Sequence, residues 1–398
     1  MDTEKPKNGM RGRMNTALYG ARRSAIREFS RLARKTPGCI ALTLGEPDRE
    51  TEATVSDQIR LALSAGETHY IENNGTGMLR TAIADFESKK NGMDYSPDEV
   101  IVTAGATEAL FTALFGILNP GDEVIVPTPA FVLYEEIIRL CRGVFVPLET
   151  AEDGFQISFE KLQALVTPRT KAIILNSPNN PTGVVYVRES LEAVHRIASE
   201  HSLFVICDDV YRQLIYTDSY HSFAEYRDLR DRILVAQSFS KPYAMTGWRM
   251  GYLLADREIM ERLELIHQYL VVSTPSLFQR SGIRALQTSP DEFVTACRHR
   301  RDFVLQSLAE MGLPVTKPEG AFYVFPDISA FGISSADFCR RMISEAGLAA
   351  TPGFCFGSDA HIRLSVCASD EDLKEGMKRL RIFLERLRKE KKGESFCD

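Results

Sequence analysis

The sequence predicts an α/β protein whose core is a mainly parallel sheet covered by helices on both sides. Three observations carry that expectation: short continuous apolar runs recur from about residue 98 to 255, helical patterns separate them, and small or polar residues stand where the runs end. A strand buried on both faces has no solvent side, so its hydrophobicity runs on without alternating.

The runs follow one another in a regular order. "EVIVTAG" leads into "ATEALFTALFGIL", and "DEVIVPTP" into "AFVLYEEIIRLC"; "TKAIILNSP" precedes "RESLEAVHRIASEH", and "LFVICDD" and "ILVAQSF" follow. Then comes a long helical pattern, "REIMERLELIHQYLVV", and a second that runs through "LFQRSGIRAL" toward "FVLQSLAEMG". Beyond it "GAFYVFPDI", "SSADFCRRMISEAG" and "IRLSVCA" mix strands and helices in an α+β pattern, which the helix "DEDLKEGMKRLRIFLERLRKE" closes. Near the start, "SAIREFSRLA" reads as a helix. With no repeat and no low-complexity linker, the two units are expected to pack together, and the crevice between them is the ligand site to expect.

Composition narrows the function. Of 398 residues 44% are hydrophobic and 26% charged, as in ordinary soluble globular chains. A net charge of -6 leaves no electrostatic footprint for nucleic acid or an anionic membrane, and the basic "RLRKEKKGE" reads as a solvated helix end. Eight cysteines, at 39, 141, 207, 297, 339, 355, 367 and 397, form no C-x-x-C pair, and the seven histidines form no H-E-x-x-H. That points to reduced thiols in the cytoplasm, and neither a disulfide framework nor a metal site is expected. The basic first residues lack a signal-peptide core; their arginines would suit a transit peptide, but Asp2, Glu4 and Glu28 count against one. The most apolar stretch, "VIVTAGATEALFTALFGIL", is broken by Thr103, Thr107 and Glu108 and makes a poor membrane span.

The ends of the runs hold the chemistry. Gly105-Ala106-Thr107 opens a helix, which makes either a plain tight turn or an anion site, since free N–H groups and the helix dipole favour negative charge there. Asn180 begins an Asn-Pro turn and could equally donate into the crevice. Asp208 follows four apolar residues, and a buried carboxylate needs a cationic or hydrogen-bonding partner to stay ionised. Lys241, in "SFSKPYAMTGWRMG", stands at the end of a buried strand, where α/β proteins place ligands. There is no G-x-x-x-x-G-K-[ST] loop, and the G-x-G of "NNGTGMLR" follows no strand.

Taken together, these residues resemble a family. The order Gly105-Ala106-Thr107, N-P-T-G at 180–183, D-x-x-Y at 208–211, S-x-S-K at 238–241, Arg249 and Arg363 in "IRLS" is similar to that of the class I/II aminotransferases, pyridoxal 5'-phosphate enzymes of fold type I. "LTLGEPD", "YIENNGTGMLR", "NPGDEVIVPTPAFVLY", "GAFYVF" and "PGFCFG" agree, and the resemblance covers residues 20–385 or so. It implies a large domain with a mostly parallel seven-stranded sheet and a smaller α+β domain. We expect residues 1–45 to form an N-terminal arm and part of the small domain, 46–285 the large cofactor domain, and 286–398 the small C-terminal domain.

The resemblance also implies roles. Lys241 would form the Schiff base with the cofactor aldehyde and move the Cα proton; a free lysine amine, with a pKa of about 10.4, must be activated by its site to do so. Gly105, Ala106, Thr107, Ser238, Ser240 and Arg249 would cradle the phosphate, arginine being suited to bidentate contact. Asp208 would pair with the protonated pyridine nitrogen, Tyr211 and Asn180 would bond the phenolic oxygen, and Phe131 would stack on the ring. Tyr70 would reach the phosphate of a neighbouring subunit, which implies a homodimer with shared active sites. Arg363, with Gly45 and Asn180 beside it, would bind the substrate α-carboxylate.

Substrate class follows less directly. Aspartate enzymes of the nearest-looking subgroup carry a lysine where this chain has Thr107, and no second arginine is obvious. The departure favours a neutral, aromatic or broad range of amino donors over aspartate, with a 2-keto acid such as 2-oxoglutarate as acceptor. The same apparatus would also serve a β C–S lyase or a non-catalytic PLP-binding regulatory module, though the chain shows no spare N-terminal domain for the latter. A nucleotide-dependent oxidoreductase would leave Lys241 and Arg249 without a role.

Overall fold

The protein is described by a computed structural model covering residues 10–21 and 24–392. Asp2, Glu4 and Cys397 therefore lie outside the described residues. In chain order, α1 (Ala25–Lys35) and β1 (Ile40–Ala41) come first, then α2 (Ala53–Ser64) and α3 (Gly77–Asn91). The central block holds β2 (Val100–Thr103), α4 (Ala106–Ile117), β3 (Glu123–Thr128), α5 (Leu133–Leu140), β4 (Val144–Glu149), α6 (Phe159–Leu165), β5 (Thr170–Asn176), α7 (Arg188–Glu200), β6 (Phe204–Asp208), β7 (Ile233–Ser238) and β8 (Gly251–Leu254). Helices α8 (Arg257–Val271), α9 (Gln279–Leu286) and α10 (Asp291–Glu310) lead to β9 (Tyr323–Val324), α11 (Ser335–Ala346), β10 (Leu348–Ala349), β11 (Thr351–Pro352), β12 (Ile362–Ser365) and α12 (Asp370–Lys392).

The large sheet has seven strands in the order β2-β8-β7-β6-β5-β3-β4; only β8 runs antiparallel to its neighbours. The five quoted apolar runs became β2, β3, β5, β6 and β7, and each is buried along its length except at Lys171 and Phe204. Successive side chains of one strand enter opposite layers. Val124, Val126, Ile206 and Leu234 pack with α4, α5 and α8, whereas Ile125, Ile173, Val205 and Val235 pack with α3 and α7. Two strands were not among the quoted runs. Strand β4 is a half-solvated edge carrying Pro147, and β8 is the short buried run that follows the Lys241 loop. The single helical pattern expected from "LFQRSGIRAL" to "FVLQSLAEMG" is two helices, α9 and α10, separated by Ser289-Pro290.

A second core gathers Phe29 and Ala33 of α1, Leu42, Cys297 and Val304 of α10, Phe322 and Val324, and the inward faces of α11 and α12. Three strands, β11-β12-β9, form its antiparallel sheet, and β1 pairs with β10. The segment after α1 thus crosses from this core toward the ends of the large sheet, which places residues 43–45 beside the strand termini.

Beneath that sheet lies a charge cluster that the residue pattern did not announce. Arg212 donates through Nη2 to both oxygens of Glu87 at 2.7 Å, and its Nη1 lies 3.2 Å from Asp209 Oδ2. Tyr252 adds a hydrogen bond to Glu87 at 2.6 Å and Ser222 one to Asp209 at 2.9 Å. All three charged groups are buried. Breaking such a pair strands an uncompensated charge, so Arg212→Ala should lower stability by about 3–5 kcal/mol. Lys89→Ala, which removes the exposed Asp85 pair at 3.4 Å, should cost under about 0.5 kcal/mol. Urea midpoints of the two variants, at unchanged m-value, check this contrast.

Candidate active site

Strand register brings the expected residues to one place. Asn176 pairs with Asp208, Asp208 with Ala236, and Gly251 with both Ser238 and Thr103, so the ends of β5, β6, β7 and β2 lie side by side. They open onto a cavity of about 250 Å³. Gly45, Ala106, Thr107, Phe131, Asn180, Asp208, Tyr211, Ser238, Ser240, Lys241, Arg249 and Arg363 all line it. Gly105 sits just behind, against Arg249. Tyr70 does not join them: it is 89% exposed and is not part of its own chain's cavity lining.

One end of the cavity is built for an anion. Helix α4 starts at Ala106, and Gly105 at its N-cap takes φ 78°, a conformation that favours glycine. A Cβ there would stand 2.8 Å from Arg249 Nη2, so glycine also lets the guanidinium close on the helix N-terminus. Arg249 is braced by Nη1 donating to the Thr246 carbonyl at 3.1 Å. Ser238 Oγ accepts from the Ser240 N–H at 3.0 Å, which folds the turn that presents Lys241. Glu108, one turn into α4, holds the Ala104 N–H and lies 2.5 Å from His267 Nδ1, tying the turn to α8.

The middle of the cavity holds Lys241 and Asp208. Lys241 Nζ donates to the Gly45 carbonyl at 2.8 Å. Burial lowers its pKa to about 8; Arg363 and Arg249 push the same way, while Cys367 and Glu46 oppose them. Asp208 Oδ2 accepts from the Tyr134 hydroxyl at 2.6 Å, yet Oδ1 is buried with no hydrogen-bond partner among the described residues. Burial raises this carboxyl to about 6 against the opposing Tyr134 bond. The site therefore pairs an amine held close to neutrality with an acid that has room for one more donor.

At the far end Arg363 lies between two rings, 4.3 Å from the Tyr323 centroid and 4.8 Å from that of Phe356. It donates to Asn180 Oδ1 at 2.7 Å and to the Thr43 carbonyl at 2.8 Å, while its Nε is buried with no hydrogen-bond partner among the described residues. Asn180 is in turn positioned by its N–H bond to Asn176 Oδ1 at 2.8 Å. Tyr211 meets Tyr323, hydroxyl to hydroxyl, at 3.0 Å. Ile26, Leu44, Phe131 and Leu133 form an apolar wall, with Phe131 edge-on to Tyr134 at 6.1 Å.

Residue-level reading named Phe131 but missed Tyr134, Asn176, Tyr323 and the rest of this wall. Asn176 could have been found, because it ends the apolar run "AIIL". Tyr134 and Tyr323 lie inside quoted motifs, but no local pattern says which way their rings turn.

Comparison with known proteins gives these features a context. Residues 37–380 match the family model "Aminotransferase class I and II". The chain is 39% identical over 355 residues to an aspartate/prephenate aminotransferase of Thermus thermophilus, covering 87% of this chain and 91% of that one. It is 36% identical over 379 residues to aromatic-amino-acid aminotransferase 2 of Thermococcus litoralis, covering 93% and 96%. Among solved structures, the aspartate aminotransferase of Thermotoga maritima superposes with a TM-score of 0.90 at 36% identity, covering 94% of this chain and 100% of that one. The chain belongs to the class I and II aminotransferase family and is a fold type I aminotransferase, an enzyme that moves an amino group between an amino acid and a 2-keto acid.

Proposed function

We propose that this aminotransferase works through pyridoxal 5'-phosphate held by Lys241 and that its amino donors are neutral or aromatic L-amino acids, with a 2-keto acid such as 2-oxoglutarate as acceptor. The observation that carries the cofactor reading is Asp208 Oδ1, a buried carboxylate oxygen without a hydrogen-bond partner among the described residues, in the cavity that also holds the Lys241 amine. It suits the protonated nitrogen of a pyridine ring, and such a partner would offset the burial that raises the free acid. Arg249, the α4 N-terminus, Thr107, Ser238 and Ser240 suit the phosphate. Phe131 suits the ring face, and Tyr211 with Asn180 the phenolic oxygen.

When bound, the cofactor supplies an aldehyde that takes up the donor nitrogen and a ring that spreads the electron pair left at Cα. The chain's own residues do the rest. Arg363 fixes the α-carboxylate with Gly45 and Asn180 beside it. Lys241, with its pKa lowered to about 8, accepts the Cα proton and returns it as general base and acid. Asp208 keeps its charge facing the ring nitrogen, and Tyr134 holds that carboxylate in place.

Donor preference rests on the cavity wall. Its three cationic residues, Lys241, Arg249 and Arg363, all have assigned work, and the lining without an assigned role is mostly apolar, Ile26, Leu44, Leu110, Leu133 and Val210 among it. A side-chain carboxylate would lose hydration there without gaining a cation, whereas an aromatic or aliphatic side chain gains burial. The relatives' names include both aspartate and aromatic amino acids, so this chain's own lining decides.

The exposed Tyr70, the exposed Tyr269 and the neighbouring Leu265, Leu270 and Val272 support a homodimer in which Tyr70 completes the partner's phosphate site. Among the described residues, the cluster formed mostly by residues up to 45 and from 286 onward supports a division from 46–285, although Val210, Tyr211 and Leu214 pack into it and Phe155 and Val184 meet Phe325 and Phe356 across the boundary. No described helix is long and apolar enough to cross a membrane, and the seven described cysteines are free, which fits the cytoplasm.

Lys241→Ala should fold and bind the cofactor loosely, with no absorbance from a lysine-bound form and no turnover; wild-type activity in that variant would refute the role. Borohydride reduction followed by peptide mapping should place the label on Lys241. In an amino-donor panel with 2-oxoglutarate, kcat/KM for phenylalanine or leucine should exceed that for aspartate by about tenfold or more, the scale of a buried side-chain contact; a preference for aspartate sinks the substrate class. Sedimentation at micromolar protein should give a dimer, and a fully active monomer would remove Tyr70 from the site.

A further inference from the structure

The two tyrosine hydroxyls of the cavity pose a question of hydrogen placement. Tyr211 and Tyr323 are both buried, their oxygens lie 3.0 Å apart, and either could donate. Tyr323 has no other hydrogen-bond partner among the described residues. Its oxygen is pressed against Gly45 so closely that a Cβ at that glycine would stand 1.8 Å from it. The acceptor left within reach is the Tyr211 oxygen. Tyr211 lines the cavity, so once it accepts from Tyr323 its own hydrogen is free to point into the open space.

We infer that Tyr323 is a positioning residue of the reaction: its hydroxyl donates to Tyr211, turns the Tyr211 hydrogen toward the coenzyme, and thereby lowers the basicity of the coenzyme's phenolic oxygen. The inference rests on the reading above, in which Tyr211 faces that oxygen. Two hydroxyls in series polarise each other, so the second donates more strongly than it would alone. The Arg363 guanidinium over the Tyr323 ring, at 4.3 Å, reinforces the donation, because a cation on the ring face makes the phenol a better donor. The other charged or titratable groups acting on the pair are Asp208 toward Tyr211 and Cys367 toward Tyr323, with Lys241 on the far side of the Gly45 carbonyl.

The sign of the effect follows. A donor aimed at the phenolic oxygen favours the coenzyme state from which the shared proton has departed, so the parent enzyme titrates at low pH. Removing the Tyr323 hydroxyl weakens that donor and should move the midpoint up.

Tyr323→Phe keeps the ring over which Arg363 lies and deletes only the hydroxyl; Tyr323→Leu deletes both. In the coenzyme-loaded enzyme, the pH midpoint of the visible absorbance change should rise by about half a pH unit or more in Tyr323→Phe, the equivalent of one modest hydrogen bond. Its kcat should fall by roughly three- to tenfold, with KM for the donor within about twofold of the parent, because the carboxylate site is intact. Tyr323→Leu should show the same midpoint shift and an additional rise in KM. A midpoint within about 0.1 unit of the parent in Tyr323→Phe overturns the inference, as does an equal rise of KM in both variants, which would make Tyr323 a packing residue. A parent enzyme with no pH-dependent coenzyme absorbance would sink the placement of Lys241 and Tyr211 together with it.

Discussion

A carboxylate that the fold buries and then leaves half satisfied sets the terms for the rest of this molecule. Asp208 ends the central strand β6 and is buried at the floor of the cavity. Tyr134 answers one oxygen, and among the described residues no hydrogen bond answers the other. Burying an unpaired acceptor costs about 1–3 kcal/mol, more if it is charged, and the raised pKa expresses that cost. A fold retains such a group where something else supplies the missing donor. Around it the neighbouring strands are in register, so Asn176 and Ser238 arrive on either side without any long loop to place them. The parallel sheet thus converts one-dimensional order into a cluster of polar groups at its carboxyl edge.

The opposite wall has a different origin. Thr43, Gly45, Tyr323 and Arg363 come from the segment after α1 and from the small antiparallel sheet, and at the cavity they meet residues at the ends of the large sheet through three hydrogen bonds: Arg363 to Asn180, Tyr323 to Tyr211 and Gly45 to Lys241. Each contact joins a residue proposed to hold substrate, or to neighbour it, with one proposed to touch the cofactor. The crevice is therefore a place where two separately packed cores share hydrogen bonds, with Lys241 bonded to Gly45 across it.

What could be read without coordinates divides along physical lines. The interior strands were legible because burial on both faces forces continuous Val, Ile and Leu, and the residues that end them, Asp208 and Lys241 among them, were legible by position alone. Strand β4 was not, because half its surface faces water and its side chains obey no single environment. Arg212 and Glu87 lie 125 positions apart, Tyr211 and Tyr323 112, and no local period encodes such meetings. Phe131 and Arg363 entered through resemblance; Tyr134 and Tyr323 stood in the same quoted motifs, but their contacts depend on how a helix and a short strand are rotated. The gap between strands in sequence and partners in space is where residue-by-residue reading stops.

The charges of the cavity also bear on one another. Burial is the main reason the Lys241 amine is held near pH 8, and the two arginines add to it by repulsion. An anion laid against Arg249 or Arg363 cancels part of that repulsion and leaves the desolvation untouched. On the reading proposed here, the phosphate and the substrate carboxylate are those anions, so the lysine would be less basic in the empty cavity and more basic in the filled one. An empty site would then favour the neutral amine needed for attack, and a filled site a base better able to take a proton from Cα. The same two guanidiniums that hold the ends of the ligand would in this way adjust the group at its centre, with no movement of the backbone required.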